Sequence, residues 1–298
     1  MLSAVERKIG QFIAELGDRE VSVLYAKLPA GKRLRAKLIL KIAGNHLAAV
    51  KTAAVVEMIH AASLLHDDVI DDAYTRRSKP SLNALYGNKT AIMLGDILYS
   101  KGFLELSSIS TEVAKIVSNA VVQLSLGELG DVSLSKTFNT DRERYLKMIY
   151  QKTASLIEAS AGAAALLAGK PKEAYLTYGR NLGIAFQMID DILDITQDAQ
   201  ILGKPALHDF VEGKTTLPYI YLYEALDSAQ RAKLQSLHAK VLKPEEALWI
   251  QEKMKEHQII EKSYLEAKIL IEEAIALMSA QGEASLAGIA REMIEREF

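Results

Sequence analysis

The chain has 298 residues and carries 36 Lys and Arg against 38 Asp and Glu, a net charge of -2. No global field therefore draws it to nucleic acid or to an anionic bilayer, and any phosphate it binds must be held by local basic groups. It has no cysteine, which excludes disulfides, thiolate zinc sites, iron–sulfur ligation and cysteine nucleophiles together. This length and a 49% hydrophobic composition suffice for one large domain or two ordinary ones.

The first residues, MLSAVERKIGQF, place Glu6, Arg7 and Lys8 where a signal peptide would need an apolar core, so a cytoplasmic protein is expected. Long Ala/Leu/Ile/Glu/Lys-rich segments with only 6 prolines point to an all-helical chain. Helices are predicted over 3–16, 33–48, 51–73, 89–109, 112–136, 141–168, 171–197 and 213–226, with several more from 228 onward. Breaks are expected at Pro29 to Gly31, Lys79–Pro80, Gly169 to Pro171, Gly203 to Pro205 and Lys243–Pro244. The stretch ASLIEASAGAAALLAG contains Glu158 and is too short to span a bilayer; it reads as a core helix whose small residues permit close packing. With no linker or low-complexity tract, residues 1–298 are expected to form a single domain.

The first basic motif, Gly31 to Arg35 (GKRLR), sets Lys32, Arg33 and Arg35 at the start of a predicted helix, beside its free backbone donors, which suits an anion. Taken alone, such a cluster is usually a solvated surface. His60 lies about two turns before the first aspartate of the next motif and is as well explained by packing as by binding.

That motif, AASLLHDDVIDDAYTRR (Ala61 to Arg77), runs an apolar helix into Asp67, Asp68 and Asp71, with Arg76 and Arg77 behind them. A partial echo, IAFQMIDDILD (Ile184 to Asp194), presents Asp190, Asp191 and Asp194, with Gln187 three residues before the first. At these spacings each helix aims three carboxylates into one small volume, and their repulsion calls for a cation. An isolated DDxxD is most often a solvated helix face, but two copies, each continuing an apolar helix and flanked by bases, are not. Carboxylate oxygens without thiolates select a hard ion, and Mg²⁺ combines a few carboxylates with waters and substrate phosphate oxygens.

Lys152–Thr153 opens the small-residue helix, while Lys204 (LGKP) and Lys214 (EGKTTLP) sit at glycine-containing loops. Neither glycine–lysine pair has Walker A spacing. The pair His66–Asp67, with His46, also admits a metal phosphohydrolase reading, yet six histidines in all and carboxylates grouped in triplets argue against it.

In combination, GKRLR, EMIH before LLHDDVIDDAYTRR, Gly95–Asp96, Lys152–Thr153, FQMIDDILD, LGKP and EGKTTLP resemble the trans-isoprenyl diphosphate synthases, in family order from Gly31 to Pro218. The resemblance implies an all-α, single-domain antiparallel bundle of isoprenoid synthase type around a deep central cavity, usually a homodimer. It implies Mg²⁺ held chiefly by Asp67, Asp71 and Asp190, with Asp68, Asp191 and Asp194 in support. It assigns Arg76, Lys152, Thr153, Gln187, Lys204 and Lys214 to the allylic diphosphate, and Lys32, Arg35, His60 and Arg77 to isopentenyl diphosphate. The chain departs from the family at Ala30, where a glycine is common, and at Ala36, where a proline is.

The implied reaction is head-to-tail condensation of isopentenyl diphosphate onto a farnesyl or geranylgeranyl primer, with membrane association at most peripheral, through the product. Ala62 and Ser63 are small where short-chain members of the family often carry an aromatic, so a product of about six to eight isoprene units is expected. Tyr99, Phe103 or Leu106 on the following helix are candidates for a floor. Terpene cyclases share the ionisation step but need no second diphosphate, and a non-catalytic partner subunit would not need the intact second motif.

Overall fold

The computed structural model describes residues 2–77, 79–196 and 207–294. Its elements are α1 (Leu2–Ala14), α2 (Arg19–Lys27), α3 (Leu34–Ala43), α4 (Leu47–Ile70), a hairpin of β1 (Thr75–Arg76) and β2 (Lys79–Pro80), α5 (Leu82–Tyr86), α6 (Asn88–Leu106), α7 (Thr111–Leu134) and α8 (Arg142–Ile149). A π-helical turn (Tyr150–Ala154) leads into α9 (Ser155–Leu167) and α10 (Lys172–Thr196). Then follow α11 (His208–Val211), α12 (Leu217–Ala225), α13 (Ser228–Leu237), α14 (Pro244–Glu256), α15 (Ile259–Ala280), a 3-10 turn (Ala284–Leu286) and α16 (Ala287–Ile294). The fold is all-helical; the two-stranded hairpin is the only sheet among the described residues.

Three boundaries differ from the sequence reading. The predicted helix 33–48 ends at Ala43, because Gly44 at φ 82 leaves helical space and His46 caps the next helix through its side chain. Residues 19–27, outside the predicted helices, form α2, whose Asp18 cap accepts from the Val21 N–H at 3.0 Å. Lys79–Pro80 is the second strand of the hairpin, not merely a helix break. By contrast, α14 begins at Pro244, where the missing N–H costs nothing.

The contacts divide the chain into two compact units. In the first, residues 1–121 and 156–176, α1, α3 and α6 pack on α4, with Val5, Ile9, Leu38, Ile39, Val56, Ile59, Leu94 and Leu98 buried at their contacts. α4 is long and apolar enough to cross a membrane, yet 67% of its most apolar window is buried inside the protein. The small-residue stretch behaves as expected: Ala161, Ala163, Ala164 and Ala165 are fully buried.

The second unit comprises residues 122–155 and 177–298, with α12 and α14 against α15 and Ile250, Met254, Ile271 and Met278 in its core. The division cuts α7 near its middle, after Val121, and α10 near its start, after Leu176.

Candidate active site

In the first unit, the acidic motif occupies the C-terminal turn of the 24-residue α4, and Asp71 is its C-cap, donating its N–H to the Asp67 carbonyl at 2.8 Å. In the second unit, Asp190, Asp191 and Asp194 sit in the last two turns of the 25-residue α10. Neither helix has a basic residue in its last turn. Carboxylates belong at the other end of a helix: here the dipole's negative pole adds to their mutual repulsion, by about 0.3–1 kcal/mol for each group at the surface. Both helix ends are thus electrostatically built for a cation.

Burial divides each triplet. Asp68, Asp191 and Asp194 are 4%, 3% and 2% exposed, whereas Asp67, Asp71 and Asp190 are only half-buried. The buried three are engaged with the protein. Asp68 Oδ1 takes Arg76 Nε and Nη2, both at 2.7 Å. Asp191 accepts from Tyr145 Oη at 2.6 Å and from Gln187 Nε2 at 2.9 Å, one donor on each oxygen. Asp194 Oδ2 accepts the Asp209 N–H at 3.0 Å. Burial and the neighbouring Asp209 and Asp190 charges push the Asp191 carboxyl well above the usual range, against its two donors. Burial likewise raises Asp68, which Arg76 only partly offsets.

Hard oxygen donors at two electronegative helix ends fit Mg²⁺. Among the described residues no three Asp, Glu or His side chains converge into a ready-made ion cage. Mg²⁺ does not require one, since it keeps waters and takes phosphate oxygens. His66 does not face a metal: its Nε2 lies 3.2 Å from the Ile92 carbonyl and 3.4 Å from Asp96 Oδ1, and its ring packs so closely on α6 that a Cβ at Gly95 would stand 2.4 Å from it. These contacts engage His66 within the first unit and leave no room for a side chain at position 95.

The first unit also gathers the basic residues. The hairpin is pinned by Ser81 Oγ and Asn83 Nδ2 on the Ala73 carbonyl, at 2.7 and 3.1 Å, and Asn83 also reaches the Asp68 carbonyl. It carries Arg77 back to the loop before α3, where Nη1 donates to the Ala30 carbonyl at 2.5 Å and lies 3.3 Å from where a Gly31 Cβ would stand. Arg33 is taken by Glu6 at 2.6 Å and by Glu57 at 3.5 Å. Arg35 keeps a buried Nε with no hydrogen-bond partner, and Lys32 is exposed. Burial, then Arg35, Arg76, Arg77 and Arg33, drive His60 well below the ordinary imidazole range, so it is neutral at pH 7. Burial and the Arg76 charge also lower Arg77. Guanidinium groups gathered in this way suit an anion.

The departure at Ala36 has a local cause. Its N–H donates to Glu57 Oε1 at 2.9 Å, on a carboxylate 3% exposed, and a proline has no N–H to give.

In the second unit, Lys152 and Thr153 lie in the π-helical turn, a feature frequent at functional sites. Two glycines admit it: a Cβ at Gly127 on α7 would stand 2.2 Å from the Lys152 nitrogen, and one at Gly183 on α10 would stand 2.5 Å from the Ala154 Cα. Lys152 Nζ pairs with Asp131 at 2.6 Å and Glu128 at 2.9 Å, which outweigh burial and hold the ammonium above its ordinary value. Thr153 Oγ1 donates to Gln187 Oε1 at 2.7 Å, completing a chain from Thr153 through Gln187 and Asp191 to Tyr145. Lys214 Nζ lies 2.9 Å from Glu212. Lys204 falls outside the described residues.

Ala62 is fully buried, and Ser63, 4% exposed, donates to the His60 carbonyl at 2.9 Å. Tyr99 stacks on Phe103 at 6.3 Å and Leu106 is buried. Sequence reasoning missed Glu57, Asn83, Tyr145, Glu128 and Asp131; only the last two had a signal, an acidic pair three apart on a helix.

A family model described as polyprenyl synthetase matches residues 20–254. The chain is 46% identical over 176 residues to the mitochondrial solanesyl-diphosphate synthase 1 of Oryza sativa subsp. japonica, covering 58% of this chain and 41% of that one, so the match spans well under two thirds of the rice protein. Among solved structures, octaprenyl pyrophosphate synthase from Helicobacter pylori matches with a TM-score of 0.94 and 42% identity, over 99% of this chain and 98% of the other. A polyprenyl synthase from Caulobacter crescentus CB15, complexed with calcium and isoprenyl diphosphate, matches with a TM-score of 0.90 and 28% identity, over 100% and 95%.

Proposed function

The chain belongs to the polyprenyl synthetase family, and from that membership we propose that it is an all-trans polyprenyl diphosphate synthase. It adds isopentenyl diphosphate to an allylic primer, farnesyl or geranylgeranyl diphosphate, and ends at about six to eight isoprene units. The observation that carries this reading is the pair of aspartate triplets, each at the C-terminal end of a long helix whose last turn has no basic residue.

Asp67, Asp71 and Asp190 are the residues to hold Mg²⁺, being less deeply buried than the other three carboxylates. Bound there, the metal supplies a Lewis acid for the departing diphosphate. Asp68, Asp191 and Asp194 act by position, fixing Arg76, Gln187 and the segment at Asp209. Lys152, Thr153, Gln187, Lys204, Lys214 and Arg76 serve the allylic diphosphate, while Lys32, Arg35, Arg77 and neutral His60 serve isopentenyl diphosphate. The allylic carbon–oxygen bond breaks with its electron pair leaving on diphosphate. The double bond of isopentenyl diphosphate forms the new carbon–carbon bond, and a proton passes to the released diphosphate. No side chain acts as nucleophile; the protein positions, screens charge and excludes water.

The single-domain reading is kept. A homodimer is supported by α6, which exposes Ile92, Met93, Phe103 and Leu104 along one side.

The test is incubation of the pure protein with labelled isopentenyl diphosphate, farnesyl diphosphate and Mg²⁺, followed by sizing of the dephosphorylated products. A ladder that needs both substrates and stops on chelation is expected. Turnover of the primer without isopentenyl diphosphate would make the protein a cyclase instead.

A further inference from the structure

The loop between α11 and α12, within the second unit, carries Lys214, and its course depends on a histidine from a later element. Gly213 turns at φ 88 and aims its carbonyl at His238, the C-cap of α13, whose Nε2 lies 2.7 Å away. The same nitrogen is 3.3 Å from Thr215 Oγ1, which also accepts the Asn139 N–H at 3.2 Å. A carbonyl accepts only, so Nε2 must carry the proton, and burial keeps the imidazole in its neutral form. The ring is 8% exposed and walled by Phe138 at 5.4 Å and Phe210 at 5.6 Å, both edge-on. The Ala239 N–H then closes on the Phe210 carbonyl at 3.2 Å, and the Lys214 N–H on the Asp209 carbonyl at 2.8 Å. The residues on either side of Lys214 are thus both held by one imidazole.

We propose that His238 is a positioning residue for Lys214: the bond from its Nε2 to the Gly213 carbonyl fixes the direction from which the ammonium meets the allylic diphosphate. This rests on the reading of Lys214 as an allylic-diphosphate ligand.

A histidine that merely fills space between two phenylalanines would be replaced well by a third aromatic and badly by an amide; a donor to Gly213 would behave in the opposite way. The glutamine amide nitrogen can stand where Nε2 stands, whereas phenylalanine keeps the packing and loses the bond. His238→Phe should raise the KM for farnesyl diphosphate at least about tenfold and leave that for isopentenyl diphosphate within about twofold, and His238→Gln should return the first constant to within about threefold of the parent. His238→Leu, a smaller apolar residue that also loses the bond to Gly213, should move the farnesyl KM the same way and serves where His238→Phe folds poorly by circular dichroism. Lys214→Ala is measured alongside. If it leaves the farnesyl KM unchanged, the reading of Lys214 falls. If it raises that KM while folded His238→Phe, or failing that His238→Leu, does not, the positioning role alone is overturned.

Discussion

Replacing Gly127 with alanine puts the packing of the π-helical turn to a quantitative test. The new Cβ would lie 2.2 Å from the Lys152 nitrogen and 2.7 Å from the Gln151 carbonyl carbon and the Lys152 Cα. Unstrained contacts need about 3.5–4.0 Å, so α7 and the turn must part by roughly 1 Å, and the obstructing atoms are backbone that no rotamer change can move. Overpacking of this kind costs about 1–3 kcal/mol, while alanine's helix preference returns about 1 kcal/mol. The net expectation is a loss of up to about 2 kcal/mol, or up to about 4 °C in Tm, in place of the gain that alanine's helix preference alone would give. Because Lys152 rides on the displaced turn, the KM for the allylic substrate should rise as well. Gly130, three residues on along the same helix, supplies the control: its Cβ would meet only Met148 Cγ, at an ordinary 3.9 Å. Gly130→Ala should therefore stabilise, by up to about 1 kcal/mol. Thermal unfolding by circular dichroism on the two variants decides the matter, and equal stabilisation of both would refute the steric argument.

Ala36→Pro should destabilise by about 1–3 kcal/mol in urea unfolding, because it strips a donor from the buried Glu57 carboxylate; parental stability would show the bond to be dispensable. Burial alone would raise Glu212, but His208 and Lys214 bring it down to about 2, so its stabilisation is complete above the unfolded value near 4.5 and is lost as pH falls from there toward 2. With the side chain 29% exposed, solvent screening reduces that stabilisation to about 1 kcal/mol. Glu212→Gln should thus cost stability at pH 6 and nothing near pH 2, and an equal cost at both would contradict the pairing. Ala62→Phe fills a fully buried position, so a Tm loss worth about 1–3 kcal/mol is expected along with a shorter product. An unchanged product ladder from the folded variant would remove Ala62 from the control of chain length.

What the sequence disclosed was what depends on neighbours along the chain. Helix 3–16, the breaks at Pro29, Gly169 and Pro244, and the two acidic turns follow from local sterics and helical periodicity, and all are present. The end of α3 was misread because Gly44, Asn45 and His46 interrupt an apolar pattern that continues on both sides of them. The π-helical turn was invisible for a different reason: its cause is the absence of side chains at Gly127 and Gly183, one on α7 and one on α10. Glu57 and Tyr145 looked like ordinary helix residues, since what distinguishes them is the Ala36 N–H and the Asp191 carboxylate they meet. A charged residue's partner across sequence separations of 21 or 46 leaves no trace in spacing.

The two aspartate triplets show how far equal spacing stops short of equal function. Both read Asp, Asp, two intervening residues, Asp, yet α4 ends at Ile70 and releases Asp71 as a cap, whereas α10 continues through Asp194 to Thr196. The fifth position is therefore half-buried at the edge of its helix in one copy and 2% exposed, bound to the Asp209 N–H, in the other. Two carboxylates of the first copy are half-buried and only one of the second. A helix that stops one turn earlier thus changes how deeply the fifth-position carboxylate is buried and which backbone group it meets. Where the helix ends, as much as the motif itself, sets the surroundings of each aspartate.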